Sequence, residues 1–340
     1  MAEGLGDGFF LFSSRRGLII VVIMRILIYG AGSVGLGIAS CLLKSGADID
    51  IIARENTVVA LRTHGLFRRG IFDDFEAPPA AFGAYTSLNW IQDTQYDYIL
   101  VCTKSFDSLG AAQDLSEHAP LFSKNAKIVL FQNGWGNADK FSSFFSTDRI
   151  YNARVITGFV RPRPNEVEIT VHADSVHIGS LFGCDLSCMA GLCELISGGG
   201  IACELTETIE KDLWAKMLYN CALNPLGAIF DVPYGRLAES EFTRVIMDSI
   251  IKEVFAVMVA SGYNTHWLKP TDFVKVFYDR LVPDTAEHKS STLQDILAEK
   301  PTEIDALNGA VISLAAQHQI AVPCNQAVYN LVKVLESGTR

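Results

Sequence analysis

Lys216, Asn220 and Asn224 stand four residues apart in a stretch that is otherwise mostly apolar. On a helix each step of four drifts by only ~40°, so the three side chains share one face. Their neighbours Met217, Leu218, Cys221, Ala222 and Leu223 are apolar. Such a polar stripe either faces water or meets a ligand. Asn is a poor helix former, and a buried Asn needs partners for its amide. Two Asn beneath a Lys therefore read as a site, although the period alone fits a solvated stripe equally well.

A second pattern with chemistry lies near the start. Arg25-Ile26-Leu27-Ile28-Tyr29-Gly30-Ala31-Gly32-Ser33-Val34-Gly35 runs from apolar residues into Gly-x-Gly-x-x-Gly, and an apolar-periodic segment, 36–43, follows. Strand, tight turn and helix in that order form the unit that binds a dinucleotide. Gly30 permits the sharp turn, Gly32 lets the backbone approach a pyrophosphate, and Gly35 lets helix and strand pack closely. The helix N-terminus at Ser33 and Val34 offers N–H groups to the phosphates. A nicotinamide or flavin nucleotide is expected over a merely structural turn.

The next strand, 49–53, ends at Arg54, where an NAD site usually carries Asp or Glu for the ribose 2′-OH. Asp48 and Asp50 lie at its other end. A guanidinium at that place favours a 2′-phosphate through charge-assisted bidentate bonds, so NADP (as NADPH) is the expected cofactor. Lys104 follows the strand 98–102, and Asn133 follows the strand 127–131. Both fall at C-terminal strand ends, the ligand side of an open α/β sheet. Lys104 there can join Arg54 on the 2′-phosphate, and Asn133 can orient a nicotinamide or a substrate oxygen. A surface Lys and a plain Asn-Gly turn are the alternatives.

The elements that must hold these residues divide the chain in two. Residues 24–206 alternate strands and helices and read as an α/β, Rossmann-type NADP-binding domain. Within it, 65–77 reads as a hairpin or irregular strand pair. Strands near 150–157, 168–171 and 176–178 read as an antiparallel extension of the sheet, with Pro162 and Pro164 breaking the first from the others. Residues 207–340 are almost wholly helical in pattern. A helix over 207–223 is disturbed at Asn224-Pro225, because the residue before Pro avoids the α region. A long helix, 242–261, carries the stripe Val245, Ile246, Ile250, Val254, Val257 and Met258, and another runs from Pro301 or Thr302 to His318. Thr302 is expected to cap that helix, with Glu303 and Asp305 as first-turn charges.

Composition bounds the partners. The 340 residues are 49% apolar and 19% charged, which describes a folded protein with room for two cores. A net charge of -10 argues against nucleic acid. Eight scattered Cys fit a reducing, cytoplasmic compartment. Cys184, Cys188 and Cys193 lack the Cys-x-x-Cys spacing of a zinc site, so no metal is expected. Residues 1–23 precede a natural start at Met24 and read as an upstream extension, with 18–23 lengthening the first strand or lying loose. The apolar run 17–28 is too short for a membrane span, and the extension lacks the marks of a signal peptide.

Several stretches together resemble the ketopantoate reductase (2-dehydropantoate 2-reductase) family. They are the Gly-rich start, Cys102-Thr103-Lys104, Gln132-Asn133-Gly134, Leu213-Trp214-Ala215-Lys216 with Asn220 and Asn224-Pro225-Leu226, Ser290-Ser291-Thr292-Leu293-Gln294-Asp295, the run from Pro301 to Gly309, and Ile320-Ala321-Val322-Pro323. The resemblance spans Met24 to about Leu335 in order. It implies an α/β Rossmann-type domain followed by an all-α domain of the 6-phosphogluconate dehydrogenase C-terminal type, with the active site in the cleft between them. It also implies roles. Arg54 and Lys104 would hold the 2′-phosphate, and Asn133 would lie near the nicotinamide and the reacting carbonyl. Lys216 would be the general acid, Asn220 and Asn224 would bind substrate oxygens, and Ser291 would contact the substrate carboxylate. Glu303 would bind substrate or position Lys216. The chemistry agrees: an ammonium both stabilises a developing alkoxide and gives it a proton. Partial burial would lower the lysine pKa, and a nearby carboxylate would counter the drop.

The chain departs from the family pattern at two places. Pro233-Tyr234-Gly235 stands where a Pro-Asn-Gly turn is common, and His288 stands where an Asn often precedes the Ser. These changes leave the reductase chemistry and put the substrate in question. The expected activity is NADPH-dependent reduction of ketopantoate to pantoate, on the route to pantothenate and coenzyme A. Its partners would be a small-molecule 2-keto acid and, as an assembly, a second copy in a homodimer. The rivals are reduction of another 2-keto acid, an opine or glycerol-3-phosphate dehydrogenase with His288 standing in for its catalytic His, and a non-catalytic NADP-binding sensor.

Overall fold

The computed structural model describes residues 10–13, 19–22, 24–92 and 94–338. Most of 1–23 therefore lies outside the described residues. The strands β1 (Phe10–Ser13) and β2 (Ile19–Val22) pair antiparallel as a separate ribbon, so 19–22 do not lengthen the strand that follows. That strand, β3 (Arg25–Tyr29), leads through the Gly-rich turn into α1 (Ser33–Lys44). Then come β4 (Asp48–Ile52), α2 (Glu55–His64), β5 (Leu66–Gly70), β6 (Phe75–Ala77), β7 (Gly83–Tyr85) and β8 (Tyr96–Val101). The chain continues through α3 (Ser108–Glu117), β9 (Phe122–Leu130), α4 (Asn137–Ser142) and β10 (Ile150–Arg154). After β11 (Thr157–Arg163), β12 (Glu166–His172), β13 (Val176–Gly179) and α5 (Ala190–Gly198), β14 (Cys203–Leu205) ends this run.

The main sheet has the order β14-β13-β10-β9-β8-β3-β4-β7. From β10 to β7 all neighbours are parallel. Ile26, Leu27 and Ile28 of β3 are all fully buried, because helices cover both faces of such a sheet. Alternation sends Ile26 and Ile28 to one core and Leu27 to the other. Only part of the expected antiparallel extension belongs here: β13 joins antiparallel to β10. The hairpin β11–β12 instead builds a second sheet, β11-β12-β5-β6, in which β12 runs parallel to β5. The first of the expected strands ends at Arg154, before either proline; Pro162 sits inside β11, where the register shifts between Val160 and Arg163. A bulge leaves a position with no ladder bond to donate, which is where a proline is tolerated.

The second run is helical: α6 (Ile209–Phe230), α7 (Tyr234–Glu239), α8 (Glu241–Ala260), α9 (Pro270–Val276), α10 (Ser291–Leu297), α11 (Asn308–Gln317) and α12 (Pro323–Glu336). By its packing the chain divides into Met1–Gln132 with Ala138–Ile209, and Asn133–Asn137 with Glu210–Arg340. The short segment after β9 thus belongs with the helices.

Three expectations about these helices are corrected. Pro225 does not disturb α6, which runs unbroken through it. A proline there removes the bond that the Cys221 carbonyl would accept from residue 225. Asn308 Nδ2 supplies that bond instead, at 3.2 Å. The buried face of α8 starts at Met247, and Val245 is 65% exposed. Residues 302–307 do not begin a long helix; a short 3₁₀ turn, Ile304–Ala306, comes first and α11 starts at Asn308. Glu303 therefore carries no first-turn charge for α11. Among the described residues no helix is long and apolar enough to cross a membrane.

Candidate active site

The candidate residues form two groups, and each is built within one unit. The first is the Gly-rich turn. Gly30 has φ +109°, and its N–H donates to the Ile52 carbonyl at 3.0 Å. A Cβ on Gly35 would stand 2.0 Å from the Gly30 carbonyl oxygen and 3.2 Å from Cys102 Cβ. Both glycines are thus demanded by the chain itself. Gly32 is different. Its φ is -72°, which any residue adopts, and a Cβ there would meet nothing closer than the Cys102 carbonyl oxygen at 3.9 Å. The exposed space beside Gly32 is room for something other than this chain. No side chain caps α1, which leaves the first-turn N–H groups at Ser33 and Val34 without a capping side-chain oxygen.

Around the turn stand the basic residues. Arg54 is exposed at the N-cap of α2. Lys104 is half-buried, just before a 3₁₀ turn at the end of β8. Gln132 Nε2 ties this end of the sheet together by donating to Thr103 Oγ1 at 3.2 Å and to the Lys104 carbonyl at 3.3 Å. Arg161 was not among the expected residues. It lies on β11, and its Nη1 donates to the Ala31 carbonyl at 2.8 Å. No spacing in the sequence announces it, because the hairpin that brings it is paired with distant β5.

The second group is built on α6. Lys216 Nζ donates to Asn133 Oδ1 at 2.6 Å, and Asn133 Nδ2 donates to Glu303 Oε2 at 3.1 Å. One amide thus joins the ammonium to the carboxylate. Packing holds the Asn133 segment. Trp135 lies against Trp214 and Tyr263, with ring centroids 4.7 Å away in each case. Gly134 has φ +86°, and a Cβ there would stand 2.4 Å from the Ala306 carbonyl oxygen. Trp135 N donates to that same carbonyl at 2.9 Å. Glu303 is 5% exposed, and its neighbours are fastened to α12. Glu336 Oε1 accepts from Thr302 N at 2.7 Å and from Thr302 Oγ1 at 2.6 Å. Tyr329 donates to Asp305 Oδ1 at 2.7 Å.

Further along the same face, Asn220 is 8% exposed. Among the described residues no group hydrogen-bonds its amide, whose polar atoms keep some access to solvent. Asn224, 3% exposed, is held on one side: Tyr234 OH donates to its Oδ1 at 2.6 Å. Its carbonyl accepts from Ser290 Oγ at 3.1 Å. Ser291, the first residue of α10, is half-buried. Tyr234 lies against His288, ring centroids 5.3 Å apart, and against Tyr219 at 5.7 Å. Burial pushes the Tyr234 hydroxyl pKa well up, so it stays a neutral donor. Burial pulls the His288 imidazole down, so it is neutral near pH 7. The two departures noted in the sequence therefore pack against each other, and Tyr234 carries the bond to Asn224. Among the described residues no group of three or more His, Cys, Asp or Glu is placed to hold a metal.

Comparison with known proteins gives one consistent answer. The family described as Ketopantoate reductase PanE/ApbA matches residues 26–183, and its C-terminal counterpart matches 208–336. The 2-dehydropantoate 2-reductase of Aquifex aeolicus is 33% identical over 316 residues, which is 93% of this chain and 98% of that protein. That of Pyrococcus horikoshii is 28% identical over 92% of this chain and 98% of its own length. A crystal structure of a PanE/ApbA family ketopantoate reductase from Ralstonia eutropha JMP134 superposes with a TM-score of 0.80 at 30% identity, covering 93% of this chain and 99% of that one. D-mandelate dehydrogenase with NADH and anilino(oxo)acetate shares the fold, with a TM-score of 0.83 at 24% identity over 93% and 99% of the two chains.

Proposed function

The chain belongs to the ketopantoate reductase family, and from that premise we propose that it reduces 2-dehydropantoate to pantoate with NADPH. The residues around the Gly-rich turn fit a dinucleotide, because Gly32 lacks a side chain for no reason internal to the protein. Ser33, Val34 and Gly35 would face its pyrophosphate, and Arg54 with Lys104 its 2′-phosphate. When bound, the reduced nicotinamide supplies a hydride to the keto carbon and leaves as NADP⁺. The carbonyl π electrons then become an alkoxide lone pair, and one proton completes the alcohol.

Lys216 is the donor of that proton. An ammonium next to a developing alkoxide lowers the barrier twice, by charge and by transfer. The observation that carries this reading is the chain Lys216–Asn133–Glu303, at 2.6 and 3.1 Å. Asn133 accepts one ammonium hydrogen and so aims the others. Glu303 anchors Asn133 through its second amide function. Asn220 offers an amide with no protein partner among the described residues, suited to a substrate oxygen. With Tyr234 donating to its Oδ1, Asn224 has its N–H donors left to offer, which suits a carboxylate or hydroxyl oxygen. Ser291 would reach the substrate carboxylate.

A second reading keeps this chemistry and changes the 2-keto acid. Tyr234 and His288 favour it, because the Tyr234 ring, backed by His288, takes space at Asn224 that a smaller amide would leave. Turnover of NADPH with a panel of 2-keto acids tests both. Ketopantoate is expected to give the highest kcat/KM. A different acid giving it would move the substrate alone, and no turnover with any of them would make the protein a sensor.

A further inference from the structure

The strand β11 crosses α1 through Phe159, whose ring lies 2.3 Å from where a Cβ on Gly37 would stand. Phe159 is the reason that α1 carries a glycine there. Two residues further on is Arg161, half-buried, with Nη1 on the Ala31 carbonyl at 2.8 Å. Among the described residues this is its one hydrogen bond, and no carboxylate pairs with it. The charge that acts on it is Arg54, of like sign. Burial, and then that repulsion, draw the Arg161 pKa below the usual arginine value, yet it remains a cation at any physiological pH. Arg54 too has no acidic partner among the described residues. Two guanidinium groups without a counter-charge among the described residues thus belong to segments fastened to the turn, Arg161 through the Ala31 carbonyl and Arg54 two residues beyond the Ile52 carbonyl that accepts from Gly30 N, in a protein whose net charge is -10.

Such a pair is unfavourable by itself and favourable around an anion. The fork of Arg161 has Nε and Nη2 left to donate after Nη1 is used. The pyrophosphate takes the N-terminus of α1, whereas the end of β4, where Arg54 stands, faces the ribose 2′ position in this fold. We propose that Arg161 completes, with Arg54, a two-arginine clamp for the 2′-phosphate of NADPH, and that its bond to Ala31 fixes the turn against the same nucleotide. The clamp rests on the NADPH reading above.

The test is equilibrium binding of 2′,5′-ADP and 5′-AMP by calorimetry, with folding followed by circular dichroism. In the wild type, 2′,5′-ADP should bind more tightly. Arg161→Gln should weaken 2′,5′-ADP by about ten- to a hundredfold, the scale of one charge-assisted contact, and 5′-AMP by less than about threefold. Equal weakening of both ligands would overturn the clamp and leave Arg161 as a support of the turn. A wild type that does not prefer 2′,5′-ADP would overturn the NADPH reading and the clamp together. A wild type that prefers it, with Arg161→Gln preserving the preference in full, would overturn the clamp alone. If Arg161→Gln fails to fold, Arg161→Lys keeps the charge and loses the fork. A loss confined to 2′,5′-ADP would then support the clamp, and an equal loss for both would overturn it.

Discussion

The Gly-rich turn at 30–35 is made by leaving side chains out, whereas the set around Lys216 is made by tying side chains together. At the turn, the positions of Gly30 and Gly35 follow from atoms a few ångströms away, whereas nothing in the chain itself requires Gly32, and the proposed nucleotide would account for it. Around Lys216, residues 133, 216 and 303 come from three separate stretches and meet through one amide. Backbone sterics act within a few residues and so leave a fixed spacing in the sequence. Hydrogen bonds between distant segments leave none.

The comparison breaks most easily at Lys216. If Lys216 gives the proton as proposed, Lys216→Ala should lower kcat by about a hundredfold or more, with nucleotide binding kept. A kcat near the wild-type value would mean that α6 presents a solvated stripe. The turn breaks differently. Gly32→Ala adds a Cβ into open space at an ordinary φ, so thermal stability should hold or rise slightly. Its NADPH affinity should nonetheless fall by at least about tenfold, because the methyl group occupies the approach of the phosphates. Gly35→Ala should do the reverse of the first effect and cost about 1–3 kcal/mol or more, from the clash at 2.0 Å with Gly30. Calorimetric melting with and without NADPH separates the two. Equal melting temperatures for both variants would erase the distinction between a packing glycine and a ligand glycine.

That distinction also marks what could be read from the chain. The order strand, turn, helix is written in the residues 25–43, and the parallel core follows from the uninterrupted burial of Ile26, Leu27 and Ile28. The destination of the hairpin β11–β12 is not written anywhere near it, because β12 pairs with β5 about a hundred residues earlier. Arg161 stayed invisible for that reason. The unbroken helix through Pro225 depends on Asn308, 87 residues from the carbonyl it satisfies. Resemblance points to Glu303, but the residue does not start the long helix that the pattern over 302–318 suggests. The turn at 304–306 and the fastening of Thr302 to Glu336 set it against Asn133 instead.

On the Lys216 side, a smaller change sharpens the picture of tied side chains. Tyr234→Phe removes the hydroxyl that donates to Asn224 Oδ1 and leaves that buried oxygen without a partner. The cost should be about 1–3 kcal/mol of stability. The freed amide can also turn over, so KM for the keto acid should rise by about tenfold while kcat stays close to wild type. A fall in kcat with unchanged KM would instead make Tyr234 part of the proton path.

The smallest effect concerns acid. His288, packed on Tyr234, and His172, on β12 in the other unit, both have pKa values drawn down from 6.5 by burial. In the unfolded chain each imidazole returns to about 6.5. Between the folded pKa and that value the unfolded state binds more protons, so stability rises with pH there. The stabilisation from a neutral, buried ring is fully present above about pH 6.5 and is lost as the pH falls through the folded pKa. Urea midpoints measured from neutral to mildly acidic pH should therefore decline. His288→Gln should flatten only the part of the decline that belongs to the helical unit, and His172→Gln only the part that belongs to the sheet unit. If His288→Gln leaves the slope of the helical unit unchanged, the ring is not buried against Tyr234. The tie between these two side chains would then be absent in solution, and Asn224 would be held by the tyrosine hydroxyl alone.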